Sequence, residues 1–579
     1  MTVSQYIVDF LKARDVATVF ELSGGMIMHL LDALHLDGAI KVINVYHEQS
    51  AAFAADAIGR MTGIPGVALA TSGPGAINLL TGIGSSYFDS SPTVFITGQV
   101  NRHEQKGAKP IRQLGFQETD IVVMASAITK MAVCINDPST VPAILEQAFT
   151  IAVDGRPGSV LVDIPMDVFR AKLDPLQELK LTTPTSTLPR PPAVDSLEIA
   201  SLLRAIAAAK CPIILAGNGV RASGGRNDML RFAELLNLPV VHSLLACDLL
   251  PYSHPLRCGM IGTYGNRWAN VALSQADLIL VLGSRLDIRQ TGAETASFAR
   301  GRVIYHVEVD FAEINNRLDS CIGIHSDLLS FFECAIAIAQ RNAPGHSRYL
   351  WHEQIANLRR QWPDTSELQV GEHINPNHFM HQLTRGRNFG AVCVDVGLHQ
   401  MWAAQSMELA HDSRFLTSGG MGAMGFALPA AVGAAFSLHG ASTVLVVAGD
   451  GGFQINIQEL QCVAHHRLPL KMVVMNNRCN GMTRAFQDTY FESRRIGTAW
   501  GYSAPNFVSI AAAYGIASRL LSSPESMDEC IAWLWADPLE PCLLEVSIDL
   551  ATNAYPKMAF GRPMSEMEPF AAPLEMKGT

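Results

Sequence analysis

The chain has no Cys-x-x-Cys pair, no run of lysines or arginines and no low-complexity segment. It also lacks internal repeats at periods of about 20–50 residues. Eleven cysteines scattered from Cys134 to Cys542, an odd total, form no disulfide framework and read as reduced thiols. A formal net charge of -10, without a basic cluster or aromatic-basic interleaving, argues against nucleic acid as a partner. The opening residues, MTVSQYIVDFLKARD, place charges inside an amphipathic helical pattern. That fits neither a signal peptide nor a membrane span, so a cytoplasmic location without a membrane partner is expected.

What is present is strand-helix alternation. A length of 579 residues is enough for about three or four domains, each with its own core, and a metabolic enzyme is the default class. Residues 1–170 alternate apolar runs (KVINVY, GVALATSG, TVFITG, SVLVDIP) with helical segments. A Pro/Thr-rich linker follows at 171–192. A second α/β block, 193–340, holds CPIILAG, LPVVHS, ADLILVLG and RVIYHVEVD, and a polar, helix-prone link covers 341–375. A third block occupies 376–550. The tail, 551–579, is rich in Pro, Met and Gly and is expected to be either disordered or a flap covering a site.

The most informative stretch is 449–477, GDGGFQINIQELQCVAHHRLPLKMVVMNN. It lies between two apolar runs that read as parallel strands, making a β-α-β unit with Asp450 and Asn477 at the two strand ends. They are 27 positions apart, yet such a unit brings both to the C-terminal edge of the sheet. Glycines there allow close backbone approach to a diphosphate, and a carboxylate with an amide oxygen suits Mg²⁺. The spacing resembles the diphosphate-anchoring motif of thiamine diphosphate (ThDP) enzymes. In the first block, Glu48 ends the run VYHE and opens an Ala-rich helix, where a helix N-terminus stabilises a carboxylate. Taken alone it reads equally well as a helix cap. Thiamine chemistry gives it a sharper role, because a carboxyl hydrogen-bonded to the aminopyrimidine ring makes that ring the base for the thiazolium carbon.

Across nearly its whole length the sequence is similar to the acetolactate synthase (acetohydroxyacid synthase) catalytic subunits. The stretches that carry this are HEQSAAFAAD, TSGPGAINLLTGI, GRPGSVLVDIP, GSRLDIRQTG, VGLHQMWAAQ and LTSGGMGAMGFALPAAVGAA. The resemblance implies two related doubly wound ThDP-binding domains flanking a central Rossmann-like α/β domain. The active site then lies between the first domain of one subunit and the third of its partner, in a homodimer or dimer of dimers. It implies that Glu48 activates the cofactor, with Gly25 and Gln117 beside the reacting groups and Met26, Phe116 and Phe486 near the substrate. The diphosphate site takes Val396, Gly397, Leu398, His399, Gly422, Gly449, Asp450, Gly451, Gly452, Asn477, Gly481 and Met482. Met424 is the side chain that bends the cofactor, and Asp450, Asn477 and the Cys479 carbonyl are the metal ligands. The central GNGVRASG, a weak dinucleotide fingerprint by itself, gains weight from GSRLDIRQTG. FAD is expected on Arg156, Gly217, Gly219, Gly283, Arg285, Asp287, Arg289 and Asp327, without net redox work.

Departures from the family fall on the acceptor side: Met26 replaces a small residue, Met166 a Lys, and Phe486 the Trp associated with larger 2-oxo acids. Arg478, Cys479 and Asn480 also differ from the family pattern. The expected reaction is decarboxylation of pyruvate with transfer of the two-carbon unit to a ketone or 2-oxo acid. A nucleotide-bound keto sugar as acceptor is the alternative, and a flavin-dependent oxidase of the pyruvate-oxidase kind a second one. A non-catalytic relative is disfavoured because Glu48, Asp450 and Asn477 are all present.

Overall fold

The computed structural model describes residues 1–173, 194–342 and 348–574. Most of the 171–192 linker and the last five residues of the tail therefore lie outside the described residues. The rest builds three six-stranded parallel sheets, each covered by helices. The first comprises β1 (Thr18–Leu22), β2 (Lys41–Asn44), β3 (Gly66–Ala70), β4 (Thr93–Gln99), β5 (Met131–Cys134) and β6 (Ser159–Pro165), ordered β2-β1-β3-β4-β6-β5. The second comprises β7 (Pro212–Ala216), β8 (Val240–His242), β9 (Arg257–Met260), β10 (Leu278–Leu282), β11 (Val303–Glu308) and β12 (Ile322–His325). Its order, β12-β11-β10-β7-β8-β9, is the Rossmann arrangement. The third holds β13 (Ala391–Val394), β14 (Arg414–Thr417), β15 (Val444–Gly449), β16 (Leu470–Asn476), β17 (Ala517–Leu521) and β18 (Cys542–Ser547), ordered β14-β13-β15-β16-β18-β17. Counted from its own first strand, the third sheet repeats the order of the first. Every residue of β15 and of β16 is buried, as continuous apolar runs require when both faces of a parallel sheet are covered.

The first and third domains share one core. Helix Glu48–Thr62, with its AAFAADA run, lies against helix Ala427–Ser437, with PAAVGAA. Small residues allow the backbones to approach closely: a Cβ on Gly433 would stand 2.1 Å from the Ala54 carbonyl oxygen. Phe53 and Phe426 close the contact edge to face, with centroids 5.4 Å apart. At the end of this seam Arg60 pairs with the buried Asp56 and Asp89, each at 2.8 Å, and donates to the Thr417 carbonyl. Asp89 in turn accepts the backbone N–H groups of Gly419 and Gly420. A first-domain carboxylate thereby anchors the third-domain loop that runs on to Met424.

The link after the central domain contains helix Tyr349–Gln361, whose Trp351 and Ile355 pack into the central core. The described part of the tail forms an antiparallel pair, β19 (Lys557–Met558) and β20 (Met567–Glu568). Arg267 ties it down by donating to the Met567 and Glu568 carbonyls while pairing with Glu367 at 2.7 Å. Met558, Met564 and Met567 bury into the central domain. No helix among the described residues is long and apolar enough to cross a membrane.

Candidate functional site

Three neighbouring strands of the third sheet, β13, β15 and β16, end at one edge, and each leads toward a helix N-terminus. Those helices are Leu398–Ser406, Asp450–Ile455 and Gly481–Tyr490. Three sets of unpaired N–H groups and three helix dipoles facing one edge favour an anion such as a diphosphate. Asp450 is 2% exposed and Asn477 6%, side by side at the ends of adjacent strands. The Tyr502 hydroxyl donates to Asp450 Oδ2 at 3.0 Å, and Asn477 Oδ1 accepts the Cys479 N–H at 3.3 Å. Burial pushes the Asp450 carboxyl up to about 6, against the opposing hydrogen bond from Tyr502. A bound cation would relieve that cost. No three His, Cys, Asp or Glu side chains among the described residues converge as a metal cage. One carboxylate with neutral oxygens suits Mg²⁺, which takes its remaining oxygens from phosphate and water.

The glycines of this edge serve the protein's own packing. A Cβ on Gly452 would stand 2.4 Å from Asp395 Oδ1, on Gly481 2.4 Å from Leu398 Cδ1, and on Gly397 2.6 Å from His399 Cε1. A side chain at any of the three would collide with its neighbours, so these glycines let the protein's own side chains pack as well as exposing backbone N–H groups at the edge. His399 lies under Gly449 and accepts its N–H on Nε2 at 3.1 Å. Burial holds this imidazole down at about 3, so it stays neutral and keeps that acceptor free. Gly422, with φ +69°, lies 4.0 Å from Val396 Cγ1 when its Cβ is built. Met424 Cε lies 3.5 Å from the corresponding position on Gly451. Met482 is partly buried against the third-domain core. The structure thus brings together the residues expected around the diphosphate.

The first-domain half is organised around the TSGPG turn. Thr71 packs under the Cβ positions of both Gly24 and Gly75, and its Oγ1 accepts the Met26 N–H at 3.3 Å. Gly73, at φ +65°, packs against the Gln117 side chain, and Gln117 itself sits at φ +66°. Glu48 is 6% exposed. Its Oε1 lies 3.2 Å from the Cβ position of Gly75, while Oε2 accepts a hydrogen bond from Asn78 Nδ2 at 3.0 Å. A Cβ on Gly25 would meet nothing within 4 Å, so the chain leaves open space there. Phe116 is 80% exposed. Phe486 makes tilted ring contacts with Tyr490 and Phe491 on the third domain, with centroids 4.9 and 5.9 Å apart.

A cavity of about 820 Å³ lies where all three domains meet, a size that suits a cofactor. Arg156, Gly219, Gly283, Arg285, Asp287, Arg289 and Asp327 all line it. Gly217 does not. Its Cβ position is 2.1 Å from the Gly283 carbonyl oxygen, so it serves strand-to-strand packing. Arg156 donates to Glu313 at 2.7 Å and to Ser90 Oγ at 2.8 Å, and Arg285 to Asp287 at 3.3 Å. Asp287 also caps its own helix by accepting from Arg289 N. Three guanidiniums among the lining residues suit a pyrophosphate, with acidic neighbours holding Arg156 and Arg285 in place.

Sequence reading missed several supports. Asp395, at the end of β13, accepts the N–H groups of Val396, Gly425 and Ala427 and so holds the loop around Met424. Asn456 donates to both Gly425 O and Gln49 Oε1, joining that loop to the Glu48 helix. The signal for Asp395 was available, an acidic residue closing the apolar run AVCVD as Asp450 closes VLVVAGD. Tyr502 had none, since its partner is 52 residues away.

Comparison with known proteins agrees with this geometry. Residues 1–124 match the model for the N-terminal TPP binding domain of thiamine pyrophosphate enzymes, 199–334 the central domain and 395–546 the C-terminal TPP binding domain. The acetolactate synthase large subunit of Lactococcus lactis is 35% identical over 97% of this chain and 95% of its own length. The isozyme 2 large subunit of Escherichia coli is 35% identical over 98% and 99%. The chloroplastic acetolactate synthase 2 of maize is 34% identical over 97% and 88%. With the diphosphate edge, the Glu48 turn and all three domains in place, the chain belongs to the acetolactate synthase large-subunit family of ThDP-dependent enzymes.

Proposed function

We propose that the chain decarboxylates pyruvate and joins the two-carbon unit to a ketone or 2-oxo acid acceptor. The observation that carries this is the pairing of buried Asp450 and Asn477 beneath three converging helix N-termini. ThDP, when bound, supplies a nucleophilic thiazolium carbon and an electron sink for the carbanion left by loss of CO₂. Asp450, Asn477 and the Cys479 carbonyl would hold Mg²⁺, and Met424 would press on the cofactor from the loop fixed by Asp395. Glu48 would hold the proton that a ring nitrogen of the aminopyrimidine needs. Gln117 orients the substrate carbonyl or carboxylate. FAD would occupy the three-domain cavity on Arg156, Arg285 and Arg289 without net redox work.

A homodimer completes the site, with Glu48 from one subunit facing the diphosphate edge of the other. Two features support this: Phe116 stands 80% exposed beside the Glu48 half, and Trp500 and Ile496 stand 56% and 71% exposed beside the diphosphate half. On the acceptor side, Met26 and Phe486 depart from the family pattern, which keeps a nucleotide-bound keto sugar as the second reading. Glu48→Gln is expected to abolish turnover while leaving cofactor bound, measured by pyruvate consumption and by cofactor titration; full turnover would refute the assignment. Anaerobic bleaching of bound flavin by pyruvate would instead place the chain with the oxidases.

A further inference from the structure

The two oxygens of the Glu48 carboxyl lie in different surroundings. Oε2 accepts the Asn78 amide N–H at 3.0 Å, whereas Oε1 lies over the backbone of Gly75. Asn78 is the last residue of helix Pro74–Asn78, and Gly73 just before that helix has φ +65°. The geometry of the turn therefore fixes where the amide points. The Asn78 side chain makes no other hydrogen bond among the described residues. Oε2 meets an N–H, so a proton placed there would face another donor and lose the bond; the free position is Oε1. Gly75 leaves that oxygen uncovered, because a Cβ would sit 3.2 Å from it.

We propose that Asn78 is a positioning residue that confines the acidic proton of Glu48 to Oε1 and aims it at the aminopyrimidine ring. This rests on the reading of Glu48 as the cofactor-activating acid. The amide holds Oε2 as an acceptor, the carboxyl plane is fixed between Asn78 and Gly75, and the proton passes between Oε1 and the ring nitrogen without the carboxyl turning over. Loss of the donor frees the carboxyl to rotate and to carry its proton on either oxygen.

The test uses the full chain loaded with ThDP and Mg²⁺ and measures exchange of the thiazolium carbon's proton for deuterium by quenched NMR, beside the cofactor dissociation constant. Asn78→Ala removes the donor. Asn78→Asp keeps the volume and replaces the donor with an acceptor, so it separates hydrogen bonding from space filling should the alanine variant fold poorly. Both are expected to slow exchange roughly ten- to a hundredfold with the dissociation constant unchanged. Wild-type exchange in both would overturn the proposal. Glu48→Gln run in parallel distinguishes the two layers. If it alone slows exchange, the role of Asn78 falls and that of Glu48 stands. If it too exchanges at the wild-type rate, both fall.

Discussion

Gly452 shows at single-residue scale how tightly the diphosphate edge is drawn. Its missing side chain makes room for Asp395, whose carboxylate holds the Met424 loop through the backbone N–H groups of Gly425 and Ala427. Gly452→Ala must displace that carboxylate, at a cost of about 1–3 kcal/mol. The expected result is a lower Tm together with weaker ThDP binding by fluorescence titration; a variant with unchanged Tm and cofactor affinity would show that Asp395 yields freely. At this scale the sequence was legible where a polar residue closes an apolar run, as at Glu48, Asp450 and Asn477. It was not legible for Asn78 or Tyr502, whose partners lie 30 and 52 residues away and meet them only after folding.

Among elements, the helix pair Glu48–Thr62 and Ala427–Ser437 matters most. The Ala-rich pattern of each predicts a helix, but nothing local says that the two pack on each other. Gly433→Val would drive a branched side chain into the Ala54 carbonyl, and differential scanning calorimetry is expected to show a fall of several degrees in the shared transition of the first and third domains. A separate, unshifted transition for either domain would contradict a common core. The central sheet sets a pH dependence. His242, fully buried at the end of β8, is held at about 3 against an ordinary 6.5 by burial and by the nearby Arg257 guanidinium. Between those values the unfolded chain binds a proton that the folded chain does not, so stability is intact above pH 6.5 and declines as pH falls toward 3. Urea titrations across that window are expected to show this slope, and His242→Gln to reduce it, with buried His399, also held at about 3, supplying a further part; an equal slope in the variant would assign the acid sensitivity elsewhere.

For the whole molecule, three blocks of strand-helix alternation were readable from the chain, because continuous apolar runs mark parallel strands wherever they occur. The repeated strand order of the first and third sheets was not readable as a repeat, since the two share no sequence period and were linked only through family resemblance. The small hairpin of the tail, seated on the central domain by Arg267, was equally hidden, being held by a side chain 300 residues away. The proposed sharing of the site between subunits has a direct consequence at this scale. Glu48→Gln and Asp450→Ala, each inactive alone, are expected to regain activity when unfolded together and refolded, because a mixed dimer contains one site with both residues intact. No recovery would place both halves of the site within one chain.

The measurement that bears most directly on the reaction is product analysis by mass spectrometry. Purified protein is given ThDP, Mg²⁺, FAD and pyruvate, with and without a panel of ketone acceptors that includes nucleotide-bound keto sugars. Loss of CO₂ with a two-carbon unit appearing on a new carbon–carbon bond, as acetolactate from pyruvate alone or as a branched tertiary alcohol from a keto sugar, is the expected result. Pyruvate consumed to acetate or acetaldehyde with no new carbon–carbon bond on any acceptor would contradict the assignment of this chain as a carboligase.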